Sequence, residues 1–250
     1  MHITLMINPT SAKAVSLAAE VRAQLDALEL SHSDTLSAQT DIILTVGGDG
    51  TVLRAARHGL PVLGIHAGTV GFLTEIDRCD LPQLVGLVTG DYTLEERVTL
   101  TGQVPDAPEQ IHAINDIYLT ATEPHRAVTL TCAANGQDFA VYRGDGVIVA
   151  TPTGSTAYSL AAGGSAVQPD LPALLLTPLY THSLGATPLI FSADNVLSVR
   201  AAQDLRISAD GHEALRLPAG QIFTLRRGDQ NARFVRLNNA PFARRLNRLA

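Results

Sequence analysis

The chain of 250 residues holds one lysine, Lys13, against seventeen arginines. No phosphate-binding loop of the Gly-Lys-Ser/Thr type exists, and no Schiff-base chemistry can draw on a lysine elsewhere. Any anion must be held by arginine, by backbone N–H groups or by a metal. Positive charge is also short overall: the formal net charge is −6. That excludes a strongly basic nucleic-acid binder. Cysteine is scarce too. Cys79 and Cys132 stand far apart and form no spaced pair, which argues against zinc and for two buried reduced thiols. No apolar run approaches the ~20 residues of a membrane span. The first residues lack a basic segment and read as a strand, not as a signal peptide. A soluble, cytoplasmic protein with no membrane partner is expected.

What is present is patterned in two halves. Residues 3–7, 41–46 and 61–65 read as strands. They alternate with helical spacing over 11–30, 51–58 and 81–88. That alternation predicts an α/β domain with a doubly wound parallel sheet. From residue 92 to 236 short β-rich runs are separated by turn pairs such as Asn135-Gly136, Asp210-Gly211 and Gly228-Asp229. They predict an antiparallel β domain. One helix is embedded from Ser155 to about Ala162. A last basic helical stretch, 241–249, is expected to pack back on the first domain. The expected domains are thus 1–92, joined by 237–250, and 93–236. A ligand is expected in a cleft between them.

Val46-Gly47-Gly48-Asp49-Gly50-Thr51 follows an apolar strand and opens a helix. Such a loop offers N–H groups and a positive dipole end to an anion without lysine. Asp49 is either a base or Mg²⁺ ligand there, or a capping residue. A second Gly-rich loop, Gly64 to Leu73, ends the next strand. In a doubly wound sheet such loops share the ligand-binding edge. His66 in it reads as structural in preference to substrate-touching, and Phe72 as core in preference to a stacking platform. Asn115-Asp116 interrupts the apolar run 114–119. It fits a ribose diol, or marks a bulge or strand end. The richest stretch runs from Arg143-Gly144-Asp145-Gly146 to Thr151-Pro152-Thr153-Gly154-Ser155-Thr156-Ala157-Tyr158-Ser159. Ser155 or Thr156 can cap a helix there. Tyr158 offers a face to a base, and Thr156 and Ser159 offer hydroxyls. Arg143 could bind a phosphate and Asp145 an exocyclic amine. Asp210-Gly211 reads equally well as a hairpin turn.

Taken in order, these stretches resemble the NAD kinase family. The Gly-Gly-Asp-Gly loop is shared with lipid kinases and phosphofructokinases. The Thr-Pro-Thr-Gly-Ser-Thr-Ala-Tyr-Ser run is much more specific. The resemblance implies an α/β N-terminal domain, a C-terminal β-sandwich and a chain end that returns to the first domain. It implies transfer of a γ-phosphoryl group from ATP, or polyphosphate in some members, to the 2′-hydroxyl of the adenosine ribose of NAD. Mg²⁺ or another divalent cation would accompany ATP. A homodimer or homotetramer with shared sites is implied. Carried over residue by residue, Asp49 would accept the 2′-hydroxyl proton. Gly47, Gly48, Gly50 and Thr51 would line the phosphates. Asn115 and Asp116 would bind NAD hydroxyls. Thr156, Ala157, Tyr158 and Ser159 would form the adenine and ribose pocket, with Phe72, Thr153, Leu160 and Ala161 among the NAD contacts. Asp145 would read the adenine amine, from a neighbouring subunit. Arg126 and Arg143 would lie near the 2′-position, and Asp210 near the nicotinamide end. The chain departs from the pattern at His66, where Asn is common, at Val70, where Leu is common, and at His212, where Gln is common. Two other readings stay open: a lipid kinase of the diacylglycerol or sphingosine type, and a non-catalytic NAD-binding sensor.

Overall fold

Apolar residues at alternate strand positions demand cover, and in the first unit helices supply it. The computed structural model describes residues 1–68, 71–123, 126–182, 185–237, 242 and 246. Contacts divide the chain into two compact units, 1–96 with the residues from 232 onward, and 97–231. The sheet of the first unit contains β1 (His2–Ile7), β2 (Ser31–Ser33), β3 (Ile42–Gly47) and β4 (Val62–His66) in the order β2-β1-β3-β4. These neighbours pair in parallel. Helix α1 (Ala12–Ala27) begins where Ser11 Oγ accepts the Ala14 N–H at 3.2 Å. Its Leu17, Val21 and Leu25 pack on Ile3, Leu5, Ile42 and Leu44. Ile43 and Val62 alternate to the opposite sheet face and are equally buried. Helix α2 (Asp49–Ala56) lies there, with Val52 against Gly64. The sheet is therefore covered on both faces, as the doubly wound reading requires.

The sheet continues beyond that reading. Ala232–Arg236 pairs in parallel with β4, and Thr93–Arg97 lies at the far edge. Both segments were expected in the β domain. Nothing local marks Ala232–Arg236 as parallel, because its partner lies far back in the chain, with Phe234 opposite Val62. The helix expected over 81–88 is instead a 3₁₀ segment, Arg78–Val85, followed by a short α turn, Gly86–Thr89. Pro82 interrupts the hydrogen-bond ladder, and Asp77 and Asp80 cap the start reciprocally. Nearly all of 241–249 lies outside the described residues, so its return to the first unit is not described here.

The second unit is a sandwich of two six-stranded sheets. All their neighbouring strands run antiparallel. One sheet contributes Leu130, Cys132, Val199 and Phe223 to the core, and the other contributes Ile117, Val147, Leu176 and Ile207. The second sheet is buried on its outer face as well, where Ile148, Ala150 and Leu175 meet Val167 and Tyr118. That explains its continuous apolar strands, Gly146–Ala150 and Ala173–Leu179, which show no alternation. Cys132 is buried, but Cys79 is exposed, contrary to the expectation of two buried thiols. Cys79 follows Asp77, whose side chain holds the Cys79 N–H at the start of the 3₁₀ segment.

Arg236 ends the last strand of the first unit almost fully buried. It donates to Glu75 at 2.8 Å, to Glu95 at 2.5 Å and to the Leu73 carbonyl at 3.4 Å. Glu75 is itself only 2% exposed. Removing one member of a buried ion pair costs about 3–5 kcal/mol. Arg236→Leu is therefore expected to lower the unfolding free energy by that amount, read as a lower denaturant midpoint with an unchanged m-value. A shift within the noise would mean that the pair contributes nothing.

Candidate active site

The strand β3 delivers the chain to Gly48, which caps α2, so Asp49 is the first helical residue. An acid there is favoured by the helix dipole. Its carboxylate, however, reaches the second Gly-rich loop. Oδ2 accepts the Phe72 N–H at 2.8 Å, and Oδ1 accepts those of Leu73 and Thr74 at 3.0 and 3.3 Å. A carboxylate has about four lone-pair directions, so one remains for another donor. Asp49 thus holds residues 72–74 against the start of α2. Gly71 must be glycine for this: any side chain there would collide with the Asp49 carboxylate. Phe72 is half-buried beside it. The segment is braced from behind, because Glu75 and Ile76 donate backbone hydrogen bonds to Gly64. His66 Nδ1 lies 3.1 Å from the Gly68 carbonyl, and Nε2 lies 3.8 Å from Asp77, in keeping with a structural histidine.

In the second unit the structure rearranges the picture around Asn115-Asp116. Asn115 lies in a bend, and the strand begins only at Asp116. Asp210 explains why the bend is stable. Its carboxylate accepts the N–H groups of Ile114 at 3.1 Å, Asn115 at 2.8 Å and Asp116 at 3.3 Å. Asp210 and Gly211 both have positive φ, 46° and 83°, in a two-residue hairpin turn between Ala209 and His212. That is the backbone of a type I′ turn. The hairpin reading therefore holds, and the turn also presents an anchoring carboxylate. Asp116 is 3% exposed. Burial, and then the charge of Asp210, push its carboxyl up to about 7.

The Thr151–Ser159 run is a folded loop on the outer face of the sandwich. Thr151 Oγ1 donates to the Ile114 carbonyl at 2.6 Å, and the Thr151 N–H donates to the Asn115 carbonyl at 2.8 Å. Gly154 presses on the Asn115 backbone so closely that a Cβ would collide with it. The expected helix from Ser155 is a 3₁₀ turn, Gly154–Thr156, and then a single α turn, Tyr158–Ala161. Neither Ser155 nor Thr156 caps it. Ser155 Oγ instead bridges Pro152 and Val167. Ser159 is buried, with its hydroxyl 2.9 Å from that of Thr177. Much of the polar density in this run therefore ties the loop together. Beside this loop two buried oxygens have no hydrogen-bond partner among the described residues, Asn115 Oδ1 and Thr153 Oγ1; a third such oxygen, Thr45 Oγ1, lies in β3 of the first unit. Thr156, Ala157 and Leu160 are half-buried, whereas Ala161 is exposed.

Beside this loop opens a cavity of about 430 Å³, lined by Tyr158, Asp145 and Arg126 together with Tyr118, Tyr180 and Arg206. The last three were not singled out from the sequence. Tyr118 and Arg206 come from separate strands and Tyr180 from the residue just after a third, and no local pattern joins them. The rings of Tyr118 and Tyr158 meet edge to face at 5.4 Å. Burial and the neighbouring tyrosines raise the Tyr158 phenol above its ordinary pKa. Arg126 is ion-paired with Glu123 at 2.9 Å. Arg143 is exposed, and its carbonyl accepts from Thr181 and His182. Among the described residues no three His, Cys, Asp or Glu side chains converge as a metal site. No described helix is long and apolar enough to cross a membrane.

Residues 10–92 match the ATP-NAD kinase N-terminal domain, and residues 114–237 match the ATP-NAD kinase C-terminal domain. The chain is similar to the NAD kinase of Heliobacterium modesticaldum, at 38% identity over 217 residues, which cover 82% of this chain and 77% of that one. It is similar to the NAD kinase of Symbiobacterium thermophilum, at 40% identity over 210 residues, covering 80% and 74%. The fold is similar to that of yeast NADH kinase complexed with NADH, with a TM-score of 0.88 at 25% identity over 99% of this chain and 86% of that one. It is also similar to an NAD kinase from Archaeoglobus fulgidus in complex with ATP, with a TM-score of 0.84 at 25% identity over 100% and 98%.

The raised Asp116 carboxyl gives a pH dependence with a definite sign. Unfolded, the group ionises near 3.8; folded, near 7. Between these values the native state binds more protons, so stability falls as pH rises. The second unit should therefore be more stable at about pH 5 than at about pH 8, by a few kcal/mol at most. Asp116→Asn should flatten that slope in urea titrations at the two pH values. An unchanged slope would contradict the assignment.

Proposed function

The chain belongs to the NAD kinase family, and from that premise we propose how its own residues divide the reaction. It is a phosphotransferase: the γ-phosphoryl group of ATP moves to the 2′-hydroxyl of the adenosine ribose of NAD, and NADP is formed. The lipid-kinase and sensor readings gain no support from the similarities.

The observation that carries the NAD assignment is the pair of orphaned oxygens, Asn115 Oδ1 and Thr153 Oγ1, beside buried Asp116. A buried acceptor without a partner calls for one. Ribose hydroxyls are donors of the right kind, and Asp116 accepts from them when ionised. Asp210 is a positioning residue in this proposal, because its carboxylate is engaged by the 114–116 backbone and not directed at the nicotinamide. Tyr158, Ala157 and Thr156 offer a wall and hydroxyl for the adenosine, with Leu160, Ala161 and Ser159 behind them. Asp145 stands where an exocyclic amine would find an acceptor, and Arg126 and Arg143 offer charge to the product phosphate. Phe72 and Gly50 complete the proposed contacts.

Gly47, Gly48, Gly50 and Thr51 line the donor phosphates at the N-terminus of α2. Asp49 takes the 2′-hydroxyl proton on the lone pair that the 72–74 loop leaves open. A Mg²⁺ ion would arrive with ATP beside the Gly47–Thr51 loop, where Asp49 is the nearest acidic side chain of the motif. When bound it offsets charge on the transferring phosphoryl group. The residues themselves hold the acceptor oxygen in line and remove its proton. A homodimer or homotetramer, with Asp145 shared between subunits, and a cytoplasmic location complete the proposal. Polyphosphate remains a second donor to assay.

Asp49→Asn should lower kcat by about 10²–10⁴-fold. It also swaps one acceptor for a donor facing an N–H, so the variant should be less stable by about 1–3 kcal/mol and unfold at a lower temperature. The Kd for NAD should change little. Turnover near wild type in an assay coupled to an NADP-specific dehydrogenase would make Asp49 purely structural. Asn115→Leu should instead raise KM for NAD by about tenfold, the loss of one hydrogen bond. An unchanged KM would remove the orphaned oxygen from the site.

A further inference from the structure

We propose that Tyr118 is a positioning residue for the nucleotide site of the second unit: its ring, held on the sheet, fixes the angle of the Tyr158 ring beside the cavity. This deepens the kinase reading and rests on it, because Tyr158 is the proposed wall for the adenosine. No motif marks Tyr118 in the sequence. It stands two residues after Asp116 in the strand Asp116–Ala121, and strand alternation puts both on one face. Ile117 and Leu119 point the other way and fill the sandwich core. Asp116 and Tyr118 therefore share the outer face, where the Thr151–Ser159 loop folds.

The strand register explains how the two rings meet. Tyr118 lies opposite Ile148, and Ile148 lies opposite Thr177. The Thr177 hydroxyl lies 2.9 Å from that of Ser159. Ser159 thus ties the loop to the same cross-strand row that carries Tyr118, and its neighbour Tyr158 comes to rest beside that row. The rings stand 5.4 Å apart with 83° between their planes, a geometry that aromatic pairs favour. They are held unequally. Tyr118 is half-buried and packs on the cluster of Ile148, Ala150, Val167 and Leu175. Tyr158 is 42% exposed and opens a single α turn whose cap residue makes no side-chain hydrogen bond. Its phenol has no hydrogen bond among the described residues. A nucleotide that had to order such a ring would bind less tightly, and Tyr118 orders it in advance. Tyr180 also lines the cavity, but it is 80% exposed and makes no ring contact with Tyr158 among the described residues.

A double-mutant cycle in the NADP-forming assay tests this. Tyr118→Leu should raise KM for NAD about fivefold, the size of a lost edge-to-face pair, while kcat and KM for ATP move less than about twofold. Tyr118→Phe keeps the ring and should hold KM for NAD within about twofold of wild type. Tyr158→Leu should raise KM for NAD, and adding Tyr118→Leu to it should change KM no further, because Tyr118 acts through Tyr158. Tyr118→Met fills similar space without a ring and carries the same test if the leucine variant does not fold. A lower Tm for Tyr118→Leu with KM for NAD unchanged would make Tyr118 a packing residue only and overturn the proposal. Additive effects in the double variant, or a loss in Tyr118→Phe as large as in Tyr118→Leu, would overturn it too. An unchanged KM in Tyr158→Leu would instead overturn the adenosine reading of Tyr158, and the proposal with it.

Discussion

The carboxylate of Asp49 accepting three consecutive backbone N–H groups, from Phe72 to Thr74, is the constraint on which the rest of the first unit's site depends. It joins the two Gly-rich loops into one object. It also fixes where the glycines must be, since Gly71 sits against that carboxylate with no room for a side chain. The clamp is held from the other side by Arg236, which reaches the Leu73 carbonyl and Glu75 from the last strand of the sheet. The base proposed here is held rigidly, so it would need little reorganisation when it meets its proton.

The second unit repeats the device with a different carboxylate. Asp210 gathers the N–H groups of residues 114–116 and so bends the chain before Asp116. The result is a buried acid pushed up to about 7, next to two oxygens that lack partners. Each unit thus uses one aspartate to shape backbone, and the proposed ligand contacts follow from that shape. Lysine takes no part in either device, since Lys13 lies in α1. The scarcity that excludes one kind of phosphate loop is compatible with backbone N–H groups, a helix N-terminus and arginine.

The fold was legible where periodicity is local. The strands read at 3–7, 41–46 and 61–65, and the long helix after Ser11, follow from spacing alone and agree with the structure to within a residue or two at each end. The antiparallel character of the second half followed from its turn pairs, and Asn135-Gly136 and Asp210-Gly211 both adopt positive φ. What was hidden depends on distance along the chain. The parallel partner of β4 is Ala232–Arg236. Asp210 acts on residues about 95 positions earlier, and Asp49 acts on residues more than 20 positions later. The site was legible as a set of motifs, but the division of labour within it was not. Ser155 reads as a helix cap and Ser159 as a ligand hydroxyl in sequence, and both are internal ties in the structure. Tyr118, Tyr180 and Arg206 carry no motif and come together only through strand pairing.

The most direct test is a crystal structure of this chain with NAD and a non-hydrolysable ATP analogue. The account predicts the 2′-oxygen of the adenosine ribose within about 3 Å of an Asp49 carboxylate oxygen. It also predicts that the N–H groups of Phe72, Leu73 and Thr74 still donate to that carboxylate. A 2′-oxygen held by a different acid, or a loop released from Asp49 on binding, would contradict it.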